Sequence, residues 1–133
     1  MKYLQLKLIT LLLAVTALSA CDDNDCSATI EGRIPITAVS GPDTALVNQE
    51  ITFSVSYKLY NDCATFKEFS QNSVYPRDIY ANAEFKGCGK CNSTNNFQTG
   101  EYKFMASQAG EYELKFHNDE NIITKTITVT APE

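Results

Sequence analysis

Between positions 51 and 59 the chain alternates without a break. Ile51, Phe53, Val55, Tyr57 and Leu59 are apolar, and Thr52, Ser54, Ser56 and Lys58 between them are polar. Successive side chains of a strand point to opposite faces, so this period of two predicts a strand with one buried face. The pattern recurs twice. Ile79, Ala81, Ala83 and Phe85 alternate with Tyr80, Asn82, Glu84 and Lys86; Tyr112, Leu114 and Phe116 alternate with Glu111, Glu113, Lys115 and His117. Tyr102, Phe104 and Ala106 form a shorter set, and Ile123, Ile127 and Val129 mark a β-branched strand. Ile34, Ile36 and Ala38 predict a first strand, kept at a sheet edge by Pro35, which has no N–H to donate. Phe66 and Phe69 are three apart, which predicts a bulge or a helical turn at residues 65–69.

Turn residues separate these runs. Gly41-Pro42-Asp43 follows the first, Asn61-Asp62 ends the second, Gly110 precedes Glu111, and Asn118-Asp119 centres a hairpin loop at residues 117–121. Strand-and-turn units recur about every ten to fifteen residues, and no long helical pattern interrupts them. The predicted fold is all-β, an antiparallel sandwich of roughly seven strands.

The first twenty residues read differently. Lys2 and Lys7 precede an apolar run from Leu8 to Leu18, closed by Ser19 and Ala20. A charged start, an apolar core and small residues at a cleavage point make an export signal. The run is too short for a spanning helix, which needs roughly 20 residues. Leu18-Ser19-Ala20-Cys21 resembles the lipobox of bacterial lipoproteins. That resemblance implies that residues 1–20 are removed, that Cys21 is lipidated and that the lipid holds the protein on a membrane. An ordinary secretory signal with a Cys behind it is the plainer alternative. Asp22-Asp23-Asn24-Asp25 resemble the acidic tether that sends Bacteroidetes-type lipoproteins to the outer face of the outer membrane. In proteobacterial lipoproteins an Asp after the Cys implies inner-membrane retention, and a solvated spacer is a third reading. A composition with many Asn, Thr and Tyr and few Arg favours the surface-exposed outer-membrane lipoprotein. The expected layout is a signal over residues 1–20, a lipidated Cys and tether over 21–33, and one domain over 34–133.

Charge narrows the partners. The whole chain carries −5; removing Lys2 and Lys7 with the signal makes it −7. An acidic domain without a basic stripe is a poor binder of nucleic acid and of anionic head groups. The membrane partner is therefore reached through the lipid anchor alone.

Gly110-Glu111-Tyr112-Glu113-Leu114-Lys115-Phe116 resembles the penultimate strand of bacterial immunoglobulin-like domains, and residues 122–130 resemble their last strand. The resemblance implies an immunoglobulin-like sandwich. It also places Tyr112 at the corner position, with its hydroxyl bonded to backbone. The chain departs from true immunoglobulin domains in having no Trp.

Cys26, Cys63, Cys88 and Cys91 remain after Cys21, and an even number in a small exported domain predicts two disulfides. In an alternating sandwich all four fall at one end. The preferred pairings tie Cys88 and Cys91 outward to Cys63 and Cys26. Cys88-Gly89-Lys90-Cys91 also has the spacing of a thiol–disulfide motif, but it lacks the helix that such chemistry uses to lower a thiol pKa. A zinc site would need a second close pair.

No catalytic residue, metal or cofactor is predicted. His117 is the one histidine, on the solvent face beside a hairpin, and no nucleophile–base set or phosphate loop accompanies it. Two features point to binding. Asp43-Thr44-Ala45 resembles the O-glycosylation sequon of exported Bacteroidetes proteins, with Thr44 in a turn. The connection at residues 70–78 carries Tyr75, which as a loop aromatic suits a contact surface. The expected function is a non-enzymatic binding module for a glycan or protein partner. The alternatives are an accessory subunit of an envelope assembly and a thiol–disulfide protein using Cys88 and Cys91.

Overall fold

The computed structural model describes residues 28–87 and 90–132. These contain nine strands and no helix: β1 (Thr29–Ile34), β2 (Ile36–Ser40), β3 (Thr44–Leu46), β4 (Ile51–Asn61), β5 (Ala64–Gln71), β6 (Arg77–Lys86), β7 (Ser93–Phe104), β8 (Gly110–His117) and β9 (Ile122–Thr130). They form a sandwich. The larger sheet has the order β1-β6-β8-β9-β3 with β5 also on β6; the smaller is β2-β4-β7. Phe53, Val55 and Ile36 of the smaller sheet and Ile79, Leu114, Phe116 and Ile127 of the larger are completely or almost completely buried between them. Each is an apolar member of an alternating run, so the pleat alone delivers it to the core. The Phe53 and Phe116 rings meet across the two layers at 6.2 Å.

The single first strand expected at residues 34–38 is two strands. β1 lies on β6, with Ile34 opposite Ala81, and β2 lies on β4, with Ile36 opposite Tyr57. Pro35 sits at the crossing between the sheets, where its missing N–H costs no ladder bond and its carbonyl accepts from the Lys58 N–H at 3.1 Å. β1 begins at Thr29, ahead of the expected domain start. Thr29, Ile30 and Glu31 are exposed, so no apolar alternation announced them.

Three other departures have similar causes. β7 begins well before Tyr102, the first residue of the expected strand: the backbone of residues 93–99 pairs with β4 while most of their side chains stay in solvent. Thr44 and Ala45, expected in a turn, instead open β3, which runs parallel to β9 and buries only Ala45. β6 and β8 are parallel as well, so the sandwich is not purely antiparallel. At residues 65–69 the bulge is the correct alternative: the register slips between Phe66 and Glu68. The extra residue turns Phe66 and Phe69 to the same side, where their rings lie 4.4 and 6.1 Å from Tyr57. Gly41 does more than turn the chain. A Cβ there would sit 2.5 Å from the Phe53 ring.

The strand directions give the sandwich two distinct ends. One gathers the β4–β5 turn, the loop before β7 and the start of β1, where the Gly87 N–H bonds the Ala28 carbonyl at 2.9 Å. The other, the far end, gathers the loop before β4, the β5–β6 hairpin and the β7–β8 loop.

Candidate functional site

At the first end Cys63, in the β4–β5 turn, is bonded to Cys91, 28 residues later, with their Cα atoms 5.5 Å apart. This is one of the preferred pairings. Because Cys91 is joined to Cys63, it is not paired with Cys88 in this structure. Cys21, Cys26 and Cys88 lie outside the described residues. Asp62 reinforces the link by accepting from the Asn92 backbone N–H and side-chain amide, each at 2.8 Å. Those bonds favour the charged carboxylate and lower its pKa, the side-chain bond most. Asp62, Cys63 and Cys91 lie close together, but both sulfurs are spent in the disulfide, and one exposed carboxylate is left as a ligand.

At the far end the β5–β6 hairpin folds back on itself. The Asn72 side chain accepts from the Asp78 N–H at 3.1 Å and donates to the Asp78 carboxylate at 3.0 Å. This closure sets the position of Tyr75. Its ring is half-buried against the core, 4.8 Å from Tyr112 and 6.5 Å from Phe104, and is not displayed on a free loop. Burial raises the Tyr75 pKa, with Arg77 acting in the opposite sense. The Tyr112 hydroxyl donates to the Gln108 carbonyl at 2.9 Å, a bond to backbone of the kind expected of it, and its ring is half-buried.

Between these groups lies an open pocket of about 200 Å³, lined by Tyr75, Arg77, Met105, Ser107, Gln108 and Tyr112 among others. The Arg77 guanidinium carbon lies 4.4 Å from the Tyr75 ring centroid. Its Nε is buried and has no hydrogen-bond partner among the described residues. Tyr102 lies beneath, donating to the Gln71 side chain; burial raises its pKa and Arg77 partly offsets that.

A second hollow, also of about 200 Å³, opens where β1 and β8 meet along one side of β6. β1 leaves for the other sheet at Pro35, and β8 turns into its hairpin after His117. Tyr80 of β6 holds the place. The Arg33 guanidinium is 3.7 Å from its ring centroid, and the His117 imidazole stacks on it at 4.3 Å. His117 was expected to be exposed and alone. Its side chain is only 23% exposed, and Nε2 lies 2.7 Å from the Asp78 carboxylate. Among the described residues the imidazole bonds to no hydroxyl or thiol.

Thr44 is exposed on β3, not in a turn, and is held by strand pairing to β9. It is remote in the fold from the Tyr80 hollow. The residues that sequence reasoning missed are the two arginines, Arg33 and Arg77. No spacing rule marks a lone arginine. The available signal is scarcity: the chain has only two, and each lies over a tyrosine and lines one of these two hollows.

No protein-family model matches the chain, and no curated protein or solved structure matches it significantly.

Proposed function

We propose that this chain is a surface-exposed envelope lipoprotein, immunoglobulin-like in its sandwich, that works as a non-enzymatic binding module. Cys21 carries the lipid, residues 22–28 form the tether, and the far end meets a glycan or protein partner. The observation that supports this most is the opposition of the two ends. The chain enters the sandwich beside the disulfide, at Ala28, and the Tyr75–Arg77 pocket opens at the other end. A domain tethered through its first strand presents its opposite end outward. Loops on a rigid scaffold are where binding groups concentrate.

A photo-crosslinking residue at Ser107, on the pocket rim, tests the reading in intact cells. It should capture a partner that the same residue at Thr52, on the exposed face of the smaller sheet, does not. Equal capture at the two positions, or none at Ser107, rejects the far end as the contact surface. Fatty-acid labelling tests the anchor separately: it should mark the wild type and not Cys21→Ser.

A further inference from the structure

We infer that the far-end pocket is built to hold the carboxylate of an acidic sugar residue. This rests on the reading of the far end as the binding surface and names what that surface takes.

Arg77 is the sole charged residue lining the pocket. Its Nε is buried and unpartnered, and no ion pair joins it to a carboxylate among the described residues. Three lysines of the larger sheet are instead paired, Lys67 with Glu31 and Glu84, Lys115 with Glu113, and Lys125 with Asp43. Nε lies inward, beside Tyr102, so what Arg77 offers the pocket is the positive charge of its guanidinium, which no carboxylate among the described residues neutralises. The guanidinium presents a planar fork that matches a carboxylate with two parallel hydrogen bonds. It is also already held in place over Tyr75, so little side-chain freedom is left to lose on binding.

The rest of the lining decides which carboxylate. About 200 Å³ is below the roughly 300–1,000 Å³ of sites for drug-sized ligands, so the pocket admits one ring or one terminal residue. Ser107 and Gln108 are polar members of the lining, and Met105, Ala106 and the ring of Tyr112 are apolar ones. Polar groups distributed around an aromatic wall suit a ring with several hydroxyls better than the aliphatic side chain of a peptide terminus. The rim is ordered before any ligand arrives. The Tyr112 hydroxyl fixes the Gln108 carbonyl, and the Asn48 N–H bonds the Ala106 carbonyl at 2.8 Å.

The test uses the mature protein and three probes in calorimetry: trigalacturonate, its fully methyl-esterified form, and an acetylated Gly-Gly-Ala tripeptide with a free carboxylate. The uronate should bind, and the ester, which keeps the rings and removes the charge, should bind about tenfold more weakly or not at all. Arg77→Gln should lose the uronate, while Arg77→Lys, a point charge without the fork, should keep part of the affinity. Ester and acid binding alike, or no uronate binding, overturns the inference. Tighter binding of the tripeptide overturns the sugar and leaves a carboxylate pocket for a protein terminus. The wild-type comparison of acid with ester decides the matter even if the Arg77 variants misfold. Capture at Ser107 without uronate binding overturns this inference alone and leaves the proposed binding surface standing.

Discussion

The two ends of the sandwich are ordered by different means. At one, the Cys63–Cys91 bond and the Asp62–Asn92 pair close the turns covalently and by charge-assisted hydrogen bonds. At the other, among the described residues, the Asn72–Asp78 pair closes one hairpin, and ring packing takes the place of the covalent bond: Tyr75 on Tyr112 and Tyr112 on Phe104, with the Tyr112–Gln108 bond beside them. A disulfide limits where a loop can go without shaping a surface, because it acts mainly on the unfolded chain. Aromatic packing shapes the surface it stabilises, and here it leaves a pocket with a charged wall. On the proposed function, the stapled end serves stability and the packed end serves contact.

Removing the staple is the strongest test of that division. The double change Cys63→Ser and Cys91→Ser should cost about 3–4 kcal/mol, from a closed loop of 28 residues in the chain-entropy account, in urea unfolding of the exported protein. Capture at Ser107 should not change. A cost below about 1 kcal/mol would mean that β4–β7 pairing and Asp62 order this end without the bond. Next comes the far end itself. Tyr112→Ala should cost roughly 2–3 kcal/mol, less than the roughly 3–5 of a fully buried aromatic, because the ring is half-exposed. Tyr112→Phe should cost about 1 kcal/mol, the worth of the bond to Gln108. Tyr75→Ala should cost about 1–2 kcal/mol, since half a ring's contacts and a cation–π stack are lost. An unaltered melting temperature would restore Tyr75 to the role of a freely displayed loop aromatic. His117→Ala should stay below about 1 kcal/mol, because Asp78 and Tyr80 hold it at a partly exposed site.

The smallest effects are hidden near neutral pH, and the ends should reveal them in opposite directions. Tyr75 and Tyr102 titrate above their ordinary 10.0 in the folded protein. Their contribution is therefore complete below pH 10.0 and is lost as pH rises through the folded values. Asp62 titrates below its ordinary 3.8. Its contribution is complete above that pH and is lost as pH falls through the folded value. Phenol absorbance on raising the pH and amide exchange at Asn92 on lowering it would follow the two ends separately. Loosening of both ends on the same side of neutrality would contradict the division.

The strands that could be read from the sequence are those with one wet and one dry face. β4, β6 and β8 each print their burial directly as alternation. β9 is legible through Ile127 and Val129. β3 is too short to show a period, and the first half of β7 has no dry face to mark, so pairing with β4 defines it where composition cannot. The bulge at residues 65–69 was legible as an anomaly, because a spacing of three between Phe66 and Phe69 breaks the period of a strand. Tyr75 was legible as a feature of the far end, but its packing was not, since that depends on a hairpin closing through Asn72 and Asp78. The Arg33–Tyr80–His117 stack joins three strands whose neighbourhood exists only after the sheet is assembled.

β9 pairs with β8 on one side and β3 on the other. Residue 44 must wait for residue 128, and residue 29 for residue 86, before either finds its partner. Contacts so distant along the chain make assembly slow, because loop closure comes before the pairing that rewards it. The sandwich closes only when nearly all of it has been delivered. On the proposed route of export, such lateness is useful: the chain stays open while it is passed across a membrane and shuts once it has arrived.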